Sequence, residues 1–212
     1  MKKTLFLLLL ACGIAGAQAQ IPAEVTDIMG KCRAAMTHAT GLEYEMDMKA
    51  GVGPLAMKMH LVVGNKGDLE RALVITKIMG IEVSSEKGFD GTDSWEVNHS
   101  DKADTITFTR GKVKKKSNSD LELYPEKQYN KAKLKQKDGY YEITFSEPKD
   151  KSSEVKNITF KVSDKNHVLR EIHSSARGAK VTMTITKIRV GLKDSYFKLD
   201  TTKYPGAVII RK

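Results

Sequence analysis

Beyond its N-terminus the chain has no apolar run near the roughly 18 residues that a membrane-spanning helix needs. Aromatic residues make up only 7%, with a single tryptophan, Trp95, and there are two cysteines, Cys12 and Cys32. No G-x-S-x-G elbow, H-E-x-x-H pair or phosphate-cradling glycine loop occurs. The histidines (His38, His60, His99, His167, His173) are scattered. His99 near Asp101 and Asp104 is the best metal-like group, but its spacing matches no standard site. No enzyme, cofactor or metal is therefore expected.

The first residues point to export. Lys2 and Lys3 precede an apolar run from Leu5 to Ala11, and small residues lead to Ala17-Gln18-Ala19. That order describes a secretory signal peptide, 1–19, cleaved after Ala19. Residues 20–212 then form a single domain, placed in the periplasm of a Gram-negative bacterium. Cys12, after Leu9-Leu10-Ala11, is a competing lipidation point. With cleavage after Ala19 only Cys32 remains, so no disulfide forms within the chain.

Charge is concentrated in one band. From Arg110 to Lys137 there are ten basic residues against Asp120, Glu122 and Glu126, while the whole chain carries +10. Such a band attracts lipid headgroups or acidic protein surfaces, with Lys112, Lys114, Lys115 and Lys116 as the docking residues. The alternative is a solvated insertion. Nucleic acid is not an expected partner, because the chain is exported and no aromatic stacking motif accompanies the lysines.

What is abundant is alternation. Leu42, Tyr44, Met46 and Met48 alternate with Glu43, Glu45, Asp47 and Lys49, and Leu55, Met57, Met59, Leu61 and Val63 repeat the pattern. A period of two gives each strand one apolar face. Methionine is flexible and polarizable, and fits either a packed core or a variable apolar guest. Residues 22–39 predict one amphipathic helix, with Pro22 in its first turn and Thr40-Gly41 closing it. Strands are expected near 41–50, 54–64, 69–76, 80–86, 94–99, 104–109, 139–146, 155–163, 167–175, 179–190 and 206–211. Asn65-Lys66-Gly67, Asp90-Gly91, Asp138-Gly139 and Asp164-Lys165-Asn166 supply turns. Residues 111–137 are expected to lack alternation, with a short helix from Tyr124-Pro125-Glu126 to about Leu134. The fold class is mainly β with few helices: a long antiparallel meander that must curl to hide its edges and its apolar face.

Several motifs in order resemble the LolA/LolB lipoprotein-carrier family. Phe89-Asp90-Gly91 followed by Trp95 looks like its D-G-x-x-x-W hairpin. Tyr141 to Phe145, Ile158 to Val162 and Val168-Leu169 resemble its middle strands. Phe197-Lys198-Leu199-Asp200 with Tyr204-Pro205-Gly206 is similar to its closing segment. The resemblance implies a half-open β-barrel with a helical lid, enclosing a cavity for lipoprotein acyl chains or other lipids. It also implies an inner-membrane transporter or outer-membrane acceptor as partner, and a monomer. Arg71 best matches the family's lid-holding arginine, with a surface arginine as the alternative. The alternation nominates Leu42, Tyr44, Met46, Met48, Leu55, Met57, Met59, Leu61, Trp95, Ile143, Phe145, Phe160 and Met183 as cavity lining. Methionines replace many of the family's cavity aromatics, and the basic band is heavier, which leaves the cargo open. A lipid or lipoprotein sensor on the same scaffold, or a small isoprenoid binder, are the rival readings.

Overall fold

The structure, a computed structural model, describes residues 21–51, 56–78, 80–100, 103–112, 124–176 and 178–212. The signal segment 1–19 with Cys12, the residues Leu55, Lys114, Lys115 and Lys116, and Asp101 lie outside them.

Helix α1 spans Ala23–Ala35. Glu24 in its first turn and Arg33 in its last complement the helix dipole. Val25, Ile28, Met29, Cys32 and Met36 recur at helical spacing and are buried. The helix ends short of the expected 39, with Met36 already outside helical geometry. There the Thr37 hydroxyl donates to the Arg33 carbonyl (3.1 Å), a local bond that competes with further helix. Gly41, at φ 90°, opens the first strand instead of closing the helix.

Twelve strands follow: β1 Leu42–Gly51, β2 Met57–Lys66, β3 Leu69–Ile78, β4 Ile81–Phe89, β5 Asp93–Asn98, β6 Thr105–Arg110, β7 Tyr129–Lys137, β8 Tyr140–Pro148, β9 Val155–Ser163, β10 Leu169–Ala176, β11 Ala179–Val190 and β12 Val208–Arg211. They form one curled, unclosed sheet in the order β12-β6-β5-β4-β3-β2-β1-β11-β10-β9-β8-β7. This is the mainly β, half-open architecture expected from the sequence.

Two expectations fail. The helix near 124–134 shrinks to α2, Pro125–Gln128, and Tyr129–Lys137 is the edge strand β7. Its alternation, Lys131/Ala132/Lys133/Leu134/Lys135, places Ala132 and Leu134 against the core and the lysines outward. Lysine on an edge strand discourages pairing with another chain, so the charges that obscured the strand also protect it. The final strand is not part of an antiparallel meander, since β12 pairs with β6 in parallel. Between β11 and β12 the chain therefore crosses β1 to β5 as a strap, residues 191–207, holding two 3-10 turns, Asp194–Phe197 and Thr201–Lys203.

Candidate functional site

Strand parity divides the sheet into two faces with different covers. On the first face, register links Leu134, Ile143, Phe160, Ile172, Met183, Met48 and Met59 in one cross-strand ladder over β7, β8, β9, β10, β11, β1 and β2. Beside it Met46 pairs with both Leu61 and Ile185, across a bulge in which Thr186 is the extra residue. Seven strands at about 4.8 Å spacing make the ladder nearly 30 Å long.

Helix α1 seals only part of this face. Val25, Ile28, Met29, Cys32 and Met36 share one buried cluster with Tyr129, Ile143, Phe145, Phe160, Val162, Leu169, Ile172 and Ile185. Phe145 and Phe160 meet edge-on at 5.8 Å. The helix is tied at its C-terminal end, where Arg33 Nη1 donates to Glu126 Oε1 of α2 at 2.6 Å and its guanidinium lies 4.5 Å from the Tyr124 ring. Beyond α1 the face stays open. Met48, Met57, Met59, Leu61, Val63 and Val74 are half-buried, and Ile81 and Val83 at the β3–β4 hairpin are 69% and 60% exposed. An apolar surface sealed at one end and half-open at the other can accept hydrocarbon by extending the covered part.

The opposite face is polar and clamped. Here Arg71 Nε donates to Glu86 Oε1 (2.6 Å), Arg71 Nη1 to the Tyr196 carbonyl (2.8 Å), and the Tyr204 hydroxyl to Glu86 Oε2 (2.5 Å). Trp95 Nε1 donates to the Phe197 carbonyl at 2.9 Å. Gly64 lets the strap approach, since a Cβ there would meet the Tyr196 ring at 2.6 Å, while Gly88 makes room for the Trp95 ring, and a Cβ there would also meet the Glu70 carbonyl at 2.6 Å. Burial, then the bond to Glu43, pushes the Tyr196 hydroxyl far above its ordinary value; burial, then Glu86, does the same for Tyr204. A hollow of about 330 Å³ remains beside the strap, lined by Val62, Arg71, Leu73, Glu86, Tyr196 and Lys203.

Of the nominated lining, Met48, Met59, Ile143, Phe160 and Met183 lie on the ladder, with Tyr44, Met46, Leu61 and Phe145 beside it. Leu42, on the same side of β1 as Met46, is buried, and Met57 is half-buried at the open end. Trp95 belongs elsewhere: it pairs with Gly88, on the Arg71 side, and anchors the strap in a second cluster with Val97 and Ile106. Arg71 likewise meets the strap and β4, and not α1, because its strand position points it to the face opposite the helix. Sequence alone could not see this, since parity between distant strands depends on bulges.

Arg33 is the arginine that ties α1, and its place on the helix's last turn was a visible signal. Lys112 is occupied by Glu70 (2.6 Å) and the Asp68 carbonyl (3.4 Å). His99 holds Asp104 at 3.0 Å, and among the described residues no group of three or more His, Cys, Asp or Glu is placed to bind a metal. Among the described residues no helix is long and apolar enough to cross a membrane.

No protein-family model matches the chain, and no curated protein sequence matches it. Solved structures do. LprF from Mycobacterium bovis aligns with a TM-score of 0.51 at 11% identity, over 82% of this chain and 96% of that one. The lipoprotein LppX from Mycobacterium tuberculosis gives 0.50 at 12% identity, over 80% and 97%. An uncharacterized conserved protein from Thermus thermophilus gives 0.51 at 6% identity, over 89% and 99%. At such identities the likeness concerns the fold, and the fold is the LolA-like half-open β-barrel that the sequence motifs resemble.

Proposed function

We propose that this protein is an extracytoplasmic carrier that shields acyl chains of lipids or lipoproteins on its methionine face. The observation that supports this most is the continuity of the apolar ladder, from the part covered by α1 to the half-exposed methionines Met48, Met57 and Met59. Each buried methylene contributes about 0.8 kcal/mol, so a few turns of hydrocarbon bind firmly without any covalent step. Methionine side chains re-pack around guests of different shape and tolerate the empty state. Export through residues 1–19 would bring the chain to acylated cargo, and Lys112, Lys114, Lys115 and Lys116 would bias docking toward an anionic membrane or an acidic partner. An inner-membrane donor and an outer-membrane acceptor are the partners that such a carrier requires.

Native mass spectrometry of the full chain expressed and recovered from a bacterial periplasm tests this reading. The expected spectrum carries a lipid-sized mass excess, and Met59→Lys reduces the loaded fraction several-fold with unchanged circular dichroism. A wild-type spectrum showing only the bare polypeptide under gentle ionisation sinks the carrier reading.

A further inference from the structure

The two edges of the sheet are treated differently. At one edge β7 carries Lys131, Lys133, Lys135 and Lys137, all exposed. At the other, β12 presents Val208, Ile209 and Ile210 at 54%, 52% and 39% exposure, an apolar edge of the kind that templates strand addition.

The backbone of β12 is half used. Val208 N–H donates to the Asp104 carbonyl (2.8 Å), Lys212 N–H to that of Phe108 (2.9 Å), and Arg110 N–H to that of Lys212 (3.4 Å). Bonding alternates along a strand, so the even residues face β6, and the N–H and C=O groups of Ile209 and Arg211 point away from the sheet. Ile209, beside the buried Ile106, lies on the strap side, while Val208 and Ile210 lie on the methionine side.

We infer that β12 is a self-association surface, on which a second copy of this chain adds its own β12 antiparallel about a two-fold axis at Ile209. In that register Ile209 faces Ile209 of the other copy, and Val208 faces Ile210 in both directions, so every apolar side chain meets another. Ile209 exchanges two hydrogen bonds with its counterpart, and each Arg211 N–H reaches the Ala207 carbonyl opposite. Charge pins the arrangement. Arg211 and Lys212 of the two copies stay at opposite ends, and each pair approaches the end where Asp104 lies, 28% exposed and beside Val208. A two-residue slide toward the C-termini sets Arg211 against Ile209 and Lys212 against Val208. A slide the other way sets Ile210 against Gly206 and Arg211 against Pro205. The interface is short and the association weak, which departs from the monomer expected from the sequence.

Sedimentation of the wild-type chain from micromolar to millimolar concentration should show a reversible rise toward twice the monomer mass. Ile209→Pro removes only an outward-facing N–H and should hold the chain monomeric, with Trp95 fluorescence reporting an intact strap; Ile209→Lys serves if the proline variant does not fold. Ile209→Cys should form a disulfide dimer across the axis on mild oxidation, because a hydrogen-bonded antiparallel pair holds its Cα atoms about 5.5 Å apart. The exposed Ile81→Cys control should not. A wild-type chain that stays monomeric throughout, or cysteines at 209 that cross-link no faster than those at 81, overturns the inference.

Discussion

Cys32 measures how well α1 seals its half of the apolar face. It is fully buried, and desolvation is the main reason that its thiol is pushed from 9.0 up to about 11, with Arg33 pulling weakly the other way. A raised folded value means that the stability is complete below the unfolded value and drains away as pH climbs through the folded one. The window is therefore from about pH 9 to about pH 11, and the loss is on the order of 2–3 kcal/mol. Tyr129, Tyr196 and Tyr204 are shifted upward as well, so other groups add to alkaline unfolding. Cys32→Val should remove about one proton from the pH-dependence without altering the unfolding free energy at neutral pH by more than about 1 kcal/mol. Urea titrations at pH 8, 9, 10 and 11 check this; an unchanged alkaline slope in the variant contradicts the buried-thiol account.

At the scale of elements, the strap is held by a small buried network and not by its own secondary structure. Glu86 is 5% exposed and takes both Arg71 and Tyr204. Removing one partner leaves the other charge buried and uncompensated, which costs about 3–5 kcal/mol when desolvation is complete. Glu86→Leu should approach the lower end, since the Arg71 it leaves behind is 23% exposed, and Arg71→Met should cost more, since it leaves the Glu86 side chain at 7%. The paired change Arg71→Met with Glu86→Leu should lose less than either single change, as both charges leave together. Chemical denaturation of the four chains measures the coupling, and additive losses would show that the ion pair does not clamp the strap. The sequence offered Arg71 as a lid holder because its strand was visible and its facing was not. Most strands were legible within a few residues, since Met46/Met48 and Ile143/Phe145 alternate cleanly. Strand β7 was hidden because its outward positions are all lysine, which reads as solvated loop unless the partner β8 is known.

Across the whole molecule, one sheet carries two covers on opposite faces at opposite ends. The strap closes over β1 to β6 on the Arg71 side, and α1 closes over β7 to β11 on the methionine side. Alternation in the sequence located Met48, Met59 and Met183, but only register shows them to be successive steps of one ladder. The half-buried stretch from Met48 across β2 to β4 lies outside both buried clusters, and it is the part that the proposed carrier would offer to hydrocarbon. On the proposed carrier reading, affinity for single-chain lipids should rise about fourfold per added methylene, the equivalent of about 0.8 kcal/mol. The rise should end once the chain spans the uncovered stretch, because further methylenes must either displace α1 or stay in water. Arg33→Ala, which loosens the tie between α1 and α2, should move that plateau to longer chains while leaving the short-chain slope unchanged. Calorimetric titration with a homologous series of fatty acids reads both quantities. A flat dependence on chain length places the hydrocarbon off the ladder, and an identical plateau in Arg33→Ala shows that α1 does not set its end.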